Sequence, residues 1–253
     1  MLAEERHRRI VEMTNSAGAV KVKELSGLFH VTEDCIRKDL AQLEKAELLK
    51  RTYGGAVPIR VNTHTFEVVR RKESNLEAKR KIAQKAIDLV QNGDTLFLDI
   101  STTNIEIAKE IIRAGKRVTI VTNMLDVIRE FNGSESARLI SIGGHLNTHC
   151  DGFIGSLSIQ SIAEYKFDLA FLGTVGMDVF DNSVYTYDAE DGMTKKAIIH
   201  SSRKTYLVAE VEKFNRDGNY KFASIDQFEA IITDEKTDEK IERTLAKSNV
   251  VLI

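Results

Sequence analysis

From about residue 95 onward the chain alternates short β-rich runs with helical ones, and few folds accept that alternation. The β-rich runs are Thr95 to Leu98, Val118 to Val121, Leu139 to Ile142, Leu169 to Leu172, Tyr206 to Ala209, Ala230 to Thr233 and Val250 to Leu252. Helical spacing of apolar residues fills the gaps, over Ile105 to Ile112, Leu125 to Phe131, Leu157 to Ala163, Thr194 to Ser201 and Ile241 to Ala246. Apolar strands separated by helices predict an α/β domain with a mostly parallel sheet covered on both faces. A helix from Asn75 to about Gln91, closed by Asn92-Gly93, opens this domain. Ligands of such sheets bind at the carboxyl ends of the strands, so the residues there are the candidates.

The first 57 residues follow another pattern. Thr32 is a good N-cap, and Glu33 and Asp34 suit the positive end of a helix. Ile36, Leu40 and Leu43 recur at i, i+4 and i+7, which buries one face and leaves Arg37, Lys38 and Gln42 off that stripe, as donors for phosphates and base edges. Leu25, Leu28 and Phe29 mark a short helix just upstream, and His30-Val31 leaves room only for a tight turn, which is helix-turn-helix spacing. A preceding helix, about Ala3 to Met13, offers Ile10 and Met13 to the core and Arg6, Arg8 and Arg9 to solvent or DNA backbone. Leu48 to Val57 reads as a hairpin reversing at Gly54-Gly55, whose glycines supply positive φ, so the module is winged.

With 253 residues, two domains are expected: 1–57, then a linker over 58–74 that starts at the only proline, Pro58, and an α/β domain over 75–253. The basic run Arg70-Arg71-Lys72 falls in that linker and reads as a solvated face, or as an added contact to DNA backbone. A net charge of −2 excludes a generally basic coat, so any DNA contact needs a local cluster, doubled by dimerisation. Two scattered cysteines, Cys35 and Cys150, form no disulfide framework, and no signal sequence or long apolar run stands out, so a cytoplasmic location and no membrane association are expected. Cys35 reads as a half-buried filler rather than a redox sensor.

Among the strand ends, Asp99-Ile100-Ser101-Thr102-Thr103-Asn104 runs straight into a helix, so hydroxyls and free N–H groups there form an anion cradle. Thr122-Asn123, Gly143-Gly144 and Gly173 to Asp178 close other strands, and Lys195 and Lys213 are candidate cations. His145, His149 and Cys150 have a spacing that a transition metal accepts, but they lack a fourth ligand and read as loop residues near a pocket. No metal or cofactor is expected.

The ordered set Arg9-Ile10, Gly18-Ala19-Val20, Glu24-Leu25, Val31-Thr32, Ile36 to Leu40, Leu43-Glu44 and Arg51 to Ala56 resembles the N-terminal signature of the DeoR family of bacterial transcriptional regulators. The resemblance implies a DNA-facing set of Thr32, Glu33, Asp34, Cys35, Arg37 and Lys38 on the probe helix with Arg51 and Tyr53 on the wing. Cys35, Lys38 and Tyr53 stand where the family usually has Thr, Arg and His.

The C-terminal half resembles the same family's sensor domain, through Asp99, Thr102 and Thr103; Thr122 and Asn123; Gly143 and Gly144; Phe171 to Asp178; Lys195 with Ala197; and Lys213-Phe214. Ser101 replaces a usual Gly, Asn147 a common Arg, and Glu210-Val211-Glu212 an Asp-Ser-Ser-like run. This resemblance implies an effector site of Asp99, Ser101, Thr102, Thr103, Thr122, Asn123, Gly143, Gly144, Gly173, Asp178, Lys195 and Lys213, with a phosphorylated sugar as effector and double-stranded operator DNA as partner. A homodimer or homotetramer is implied, as is a fold similar to ribose-5-phosphate isomerase. The isomerase's Asp-Gly-Ala-Asp stretch aligns with Leu172-Gly173-Thr174-Val175, which lacks both carboxylates, so binding without turnover is expected. The functional expectation is a repressor of a sugar operon that the effector releases from DNA. An isomerase-like enzyme with a DNA-binding module, or an activator of the same operon, is the alternative.

Overall fold

A computed structural model describes residues 3–17, 20–46, 48–57, 68–133, 137–214 and 216–253. The chain divides into two compact units, Met1–Val61 and Asn62–Ile253. Among the described residues no helix is long and apolar enough to cross a membrane.

The first unit contains α1 (Ala3–Ala17), β1 (Val20–Lys21), α2 (Val22–Phe29), α3 (Glu33–Lys45), β2 (Lys50–Thr52) and β3 (Gly55–Val57). Its core gathers Ile10, Val22, Leu25, Phe29, Ile36, Leu40, Leu43 and Leu49, so the apolar stripe of α3 packs inward as its periodicity requires. Thr32 caps α3 by accepting from the Cys35 N–H at 3.2 Å. The tight turn before it depends on His30, left-handed at φ 53°.

Three expectations for this unit need correction. Leu28 is 51% exposed, and Val22, at the start of α2, takes a place in the core instead. Arg6 does not face solvent: it is buried, and its Nε and Nη2 donate to the two oxygens of Asp39 at 2.7 and 3.1 Å, joining α1 to α3. Only Gly54 of the glycine pair has positive φ, at 84°. Gly55 serves close approach, since a Cβ there would lie 1.9 Å from the Val20 carbonyl oxygen on β1, a strand the sequence pattern did not indicate. The wing is therefore three-stranded, in the order β1-β3-β2.

In the second unit α4 (Val68–Glu73) and α5 (Leu76–Ile87) precede β4 (Thr95–Leu98), α6 (Thr102–Arg113), β5 (Val118–Thr122), α7 (Leu125–Glu130) and β6 (Ala137–Ser141). A hairpin of β7 (His145–Asn147) and β8 (Gly152–Ile154) follows, then α8 (Ser156–Ala163), β9 (Phe167–Gly173), β10 (Gly176–Asp178), β11 (Ser183–Thr186), α9 (Ala189–His200) and β12 (Ser202–Val208). The last elements are β13 (Tyr220–Ala223), β14 (Ala230–Ile232), α10 (Glu239–Lys247) and β15 (Val251–Leu252). Asn75 stands at the N-cap of α5 but is left-handed and makes no side-chain cap, and α5 ends at Ile87 rather than near Gln91. Of the expected linker, 58–67 lie outside the described residues, and α4 lies within the second unit.

Seven strands form one sheet in the order β15-β14-β12-β9-β4-β5-β6, and every neighbouring pair is parallel. Alternate residues of each strand enter opposite cores. Leu96, Leu98 and Phe171 pack with Ile82, Ile107 and Ile111 of α5 and α6, while Phe97, Ala170 and Leu172 pack with Ile162, Ile198 and Leu245 of α8, α9 and α10. Strands buried on both faces become continuous apolar runs, which explains their appearance in the sequence. The three-stranded antiparallel sheet β10-β11-β13 and the β7-β8 hairpin were not anticipated, because their strands are three or four residues long and interrupted by Gly, Asp and Asn.

Candidate functional site

On the first unit, α3 exposes Glu33, Asp34, Arg37 and Lys38, while Cys35 is half-buried with its sulfur 3.5 Å from Arg6 Nη2. Arg37 donates to Glu33 and to Asp34, each at 2.6 Å, so the guanidinium is held along the first turn of the helix. Exchanging these exposed intrahelical pairs for phosphate oxygens costs little, because such pairs contribute at most about 1 kcal/mol. On the wing, Tyr53 is fully exposed, and Glu44 holds Arg51 through its N–H at 2.8 Å. Helix and wing thus both offer polar side chains to solvent.

On the second unit the chain runs from β4 outward through β5 and β6, then crosses over to β9, β12, β14 and β15 on the other side of β4. The strand order therefore reverses between β4 and β9, where open parallel sheets form their binding crevices. A cleft lies there, lined by Ile100 to Thr103 after β4, Gly173 to Val175 at the end of β9, and Glu210, Glu212 and Lys213 after β12. Thr186, Tyr187, Asp191 and Lys195 close one wall, and Arg71, Ser74, Lys79 and Cys150 contribute from α4, α5 and the turn before β8.

The sequence builds this cleft locally. Ser101 caps α6, its Oγ accepting from the Thr103 N–H at 3.2 Å, with φ at −153°. That is extended backbone open to any residue, so the position needs no glycine. Gly173 does need to be glycine: a Cβ there would lie 2.5 Å from the Cβ and Oγ of Ser101. The positive end of α6 thus faces the cleft together with two threonines.

Beneath it Asp99 is buried and accepts from Asn104 Nδ2 at 2.7 Å, from the Gly173 N–H at 3.0 Å and from the Lys195 ammonium. Asp191 lies 4.0 Å from the same ammonium and accepts from the Thr186 hydroxyl. Burial would pull Lys195 down, but Asp191 and Asp99 outweigh it and hold the ammonium above its ordinary value. Lys79 is also buried, donates to the Ser74 carbonyl at 2.6 Å and to that of Arg71, and lies 3.9 Å from Glu210. Burial dominates there, and Lys79 falls below the usual lysine value. Burial likewise pushes the Cys150 thiol up to about 11, which keeps it protonated and unreactive near neutrality.

Of the expected effector residues, Ser101, Thr102, Thr103, Gly173, Lys195 and Lys213 line the cleft, and Asp99 supports it from below through Lys195. The other five do not line it. Thr122 donates to the Leu98 carbonyl at 2.7 Å, tying β5 to β4, and Asn123 donates to the Phe153 carbonyl at 2.8 Å, holding β8. Gly143 accepts from Ser158 at 2.9 Å, and a Cβ on Gly144 would lie 2.1 Å from that same hydroxyl, so this pair lets α8 approach closely. Asp178 caps a turn, accepting from the N–H groups of Phe180 and Asp181. Each of these five makes its contacts within the scaffold, at or near a strand end.

Arg71, Lys79, Thr186, Tyr187 and Asp191 were missed. One signal was available: Lys79 sits at i−3 and i−4 from Ile82 and Ala83, on the face of α5 that is otherwise apolar. The basic run containing Arg71 belongs to this unit rather than to a solvated linker, since Arg71 lines the cleft and Lys72 pairs with Asp126. His149 offers its carbonyl to Arg71, Cys150 is buried and His145 is on β7. Among the described residues no group of three His, Cys, Asp or Glu side chains is placed to hold a metal ion.

Two family profiles match: the DeoR-like helix-turn-helix domain over residues 6–61 and the DeoR C terminal sensor domain over residues 74–235. The glycerol-3-phosphate regulon repressor of Escherichia coli K12 is 33% identical over 250 residues, covering 98% of this chain and 97% of its own length. A putative aga operon transcriptional repressor of Escherichia coli O157:H7 is 32% identical over 251 residues, covering 98% of this chain and 93% of its own length. Among solved structures, eIF2B delta from Chaetomium thermophilum superposes with a TM-score of 0.50 and 13% identity, over 65% of this chain and 58% of that one, a likeness of fold alone. The curated relatives are transcriptional regulators rather than enzymes. With a helix-turn-helix unit and a sensor unit that both match over most of the chain, this protein belongs to the DeoR family of DNA-binding transcriptional regulators.

Proposed function

We propose that the protein represses an operon for the catabolism of a sugar or sugar derivative, and that a phosphorylated sugar bound in the switch-point cleft releases it from the operator. The observation that carries this reading is the cleft itself, where the N-terminus of α6, three hydroxyls and the cations Lys195 and Lys213 meet at the ends of β4, β9 and β12. Backbone N–H groups and hydroxyls at a helix start suit phosphate oxygens, and nearby carboxylates suit sugar hydroxyls. Relatives named for glycerol-3-phosphate and aga regulons support the same class of effector.

Two copies present their α3 helices to two half-sites, and the effector shifts the population whose spacing fits DNA. Linkage requires reciprocity, so operator DNA weakens effector binding by the factor through which effector weakens operator binding. Catalysis has no place in this reading, because Leu172 and Val175 stand where the isomerase stretch carries its two carboxylates.

The test is thermal unfolding of the full chain, with and without operator DNA, against phosphorylated sugars and their unphosphorylated parents. A ligand at 100 times its dissociation constant stabilises the folded state by about 2.7 kcal/mol. One phosphorylated sugar should raise the midpoint and dissolve the operator complex, while its parent does neither. Failure of every phosphorylated sugar on both counts would refute the reading.

A further inference from the structure

Among the described residues four cations line the cleft, and three of them already face carboxylates. Lys195 lies between Asp99 and Asp191, Lys79 lies 3.9 Å from Glu210, and Lys213 lies 4.0 Å from Glu212. Arg71 has no such partner among the described residues. Its guanidinium stands over the ring of Tyr187, 5.2 Å from the centroid, and Nη2 reaches the His149 carbonyl at 3.4 Å. Its Nε is buried and makes no hydrogen bond among the described residues. A buried donor left without an acceptor is unfavourable, and an oxygen of an incoming anion would relieve it.

The neighbours of Arg71 determine what else moves with it. Its carbonyl accepts from Lys79, so the end of α4 is tied to α5 beside the cleft. Lys72, the next residue, pairs with Asp126 and lies 3.9 Å from Asp151. Among the described residues, α4 is the first element after 58–67, the stretch of sequence that leads out of the first unit.

We propose that Arg71 receives the anionic group of the effector and thereby couples occupancy of the cleft to α4. A guanidinium offers two parallel N–H bonds to a phosphate, a geometry an ammonium does not supply, and the Tyr187 face holds its plane. The three lysines already face carboxylates, Lys195 two of them, so Asp191, Glu210 and Glu212 are acceptors for hydroxyl hydrogens. A polyhydroxylated phosphate monoester fits that division. This assignment deepens the sugar-phosphate reading and rests on it.

The experiment uses the full chain and its R71A and R71K variants, with R203A as a charge-matched control whose side chain is exposed. Affinity for inorganic phosphate and for a panel of triose, pentose and hexose phosphates is measured by calorimetry, and operator release by fluorescence anisotropy. Circular dichroism checks the fold, and R71K remains informative if R71A is unfolded. R71A should lose at least about tenfold in affinity for both kinds of anion, R71K should lose part of it, and R203A none. Operator complexes of R71A should also survive a sugar-phosphate concentration that dissolves those of the parent protein. Sugar-phosphate affinity within twofold of the parent in R71A, or normal release by R71A, overturns the assignment and leaves the sugar-phosphate reading standing. If only inorganic phosphate binds and R71A abolishes it, Arg71 keeps its anion role and the sugar-phosphate reading falls. If no anion binds the parent protein, both fall.

Discussion

Both units bury a carboxylate against a cation, and the two pairs differ in what surrounds them. In the first unit Asp39 accepts from both ends of the Arg6 guanidinium and lies 2.9 Å from His7 Nε2, so α1 and α3 are clamped through one side chain. Burial would raise that carboxyl, but Arg6 and His7 prevail and hold it below the usual carboxylate range. In the second unit Asp99 anchors Lys195 from beneath, and the upper side of the ammonium borders a cleft at the point where strand order reverses. Enclosure does not separate them, since the Arg6 and Asp39 side chains are 10% and 7% exposed and those of Lys195 and Asp99 only 4% and 1%. A buried ion pair is therefore no sign of a binding site by itself. Its place in the topology makes the difference.

Lys195→Met should have the largest effect of any single change in these pairs. It leaves Asp99 buried without its cation, which should cost about 3–5 kcal/mol of stability. Chemical denaturation would measure that loss, and Asp99→Asn added to it should restore much of the stability by removing the stranded charge. A loss below about 1 kcal/mol would mean that Asp99 carries no charge in the folded protein.

Asp39→Asn probes the other pair and should cost about 3 kcal/mol, together with loss of operator binding as α1 and α3 separate. Because the folded Asp39 titrates below its unfolded value, its contribution is fully present above the unfolded value of about 4 and is lost as pH falls through the folded one. Melting curves of the parent and the variant should therefore converge on acidification below about pH 4 and stay apart above about pH 5. Convergence at neutral pH would contradict the clamp.

Arg37→Ala should weaken operator binding by about 2 kcal/mol while the melting midpoint hardly moves, because only exposed pairs with Glu33 and Asp34 are lost. Unchanged operator affinity in an anisotropy titration would remove Arg37 from the DNA face. The smallest effect belongs to Lys213→Ala, which should weaken the effector by about 1.5 kcal/mol, roughly tenfold, and leave operator affinity in the absence of effector intact. A normal effector response would take Lys213 out of the site.

Local pattern was enough for most elements. The spacing of Ile36, Leu40 and Leu43, the N-cap at Thr32 and the apolar runs around Leu96, Ile120 and Phe171 each report a periodicity that a single element satisfies alone. Short strands such as β10 and β11 escaped, because three or four residues with Gly and Asp among them carry too little of that signal. The cleft was legible where a strand runs straight into a helix, at Ser101 to Thr103. It was illegible where side chains arrive from elsewhere: Arg71 from α4, and Asp191 from the first turn of α9. Thr122, Asn123, Gly143, Gly144 and Asp178 stand at strand or turn ends as well, yet their hydrogen bonds and close approaches serve the scaffold.

A winged helix-turn-helix followed by a parallel α/β sheet is written into the order of residues, because amphipathic periodicity and cap chemistry act over a few residues. Which strand ends meet is set by long-range packing. Strands buried on both faces look alike whatever their neighbours, so nothing local reveals that β4 pairs with β9, with Asp99 accepting from Gly173 at 3.0 Å across 74 positions of sequence. Long-range pairing of that kind sets the switch point, and with it the three lysines that face carboxylates and the arginine that faces none among the described residues.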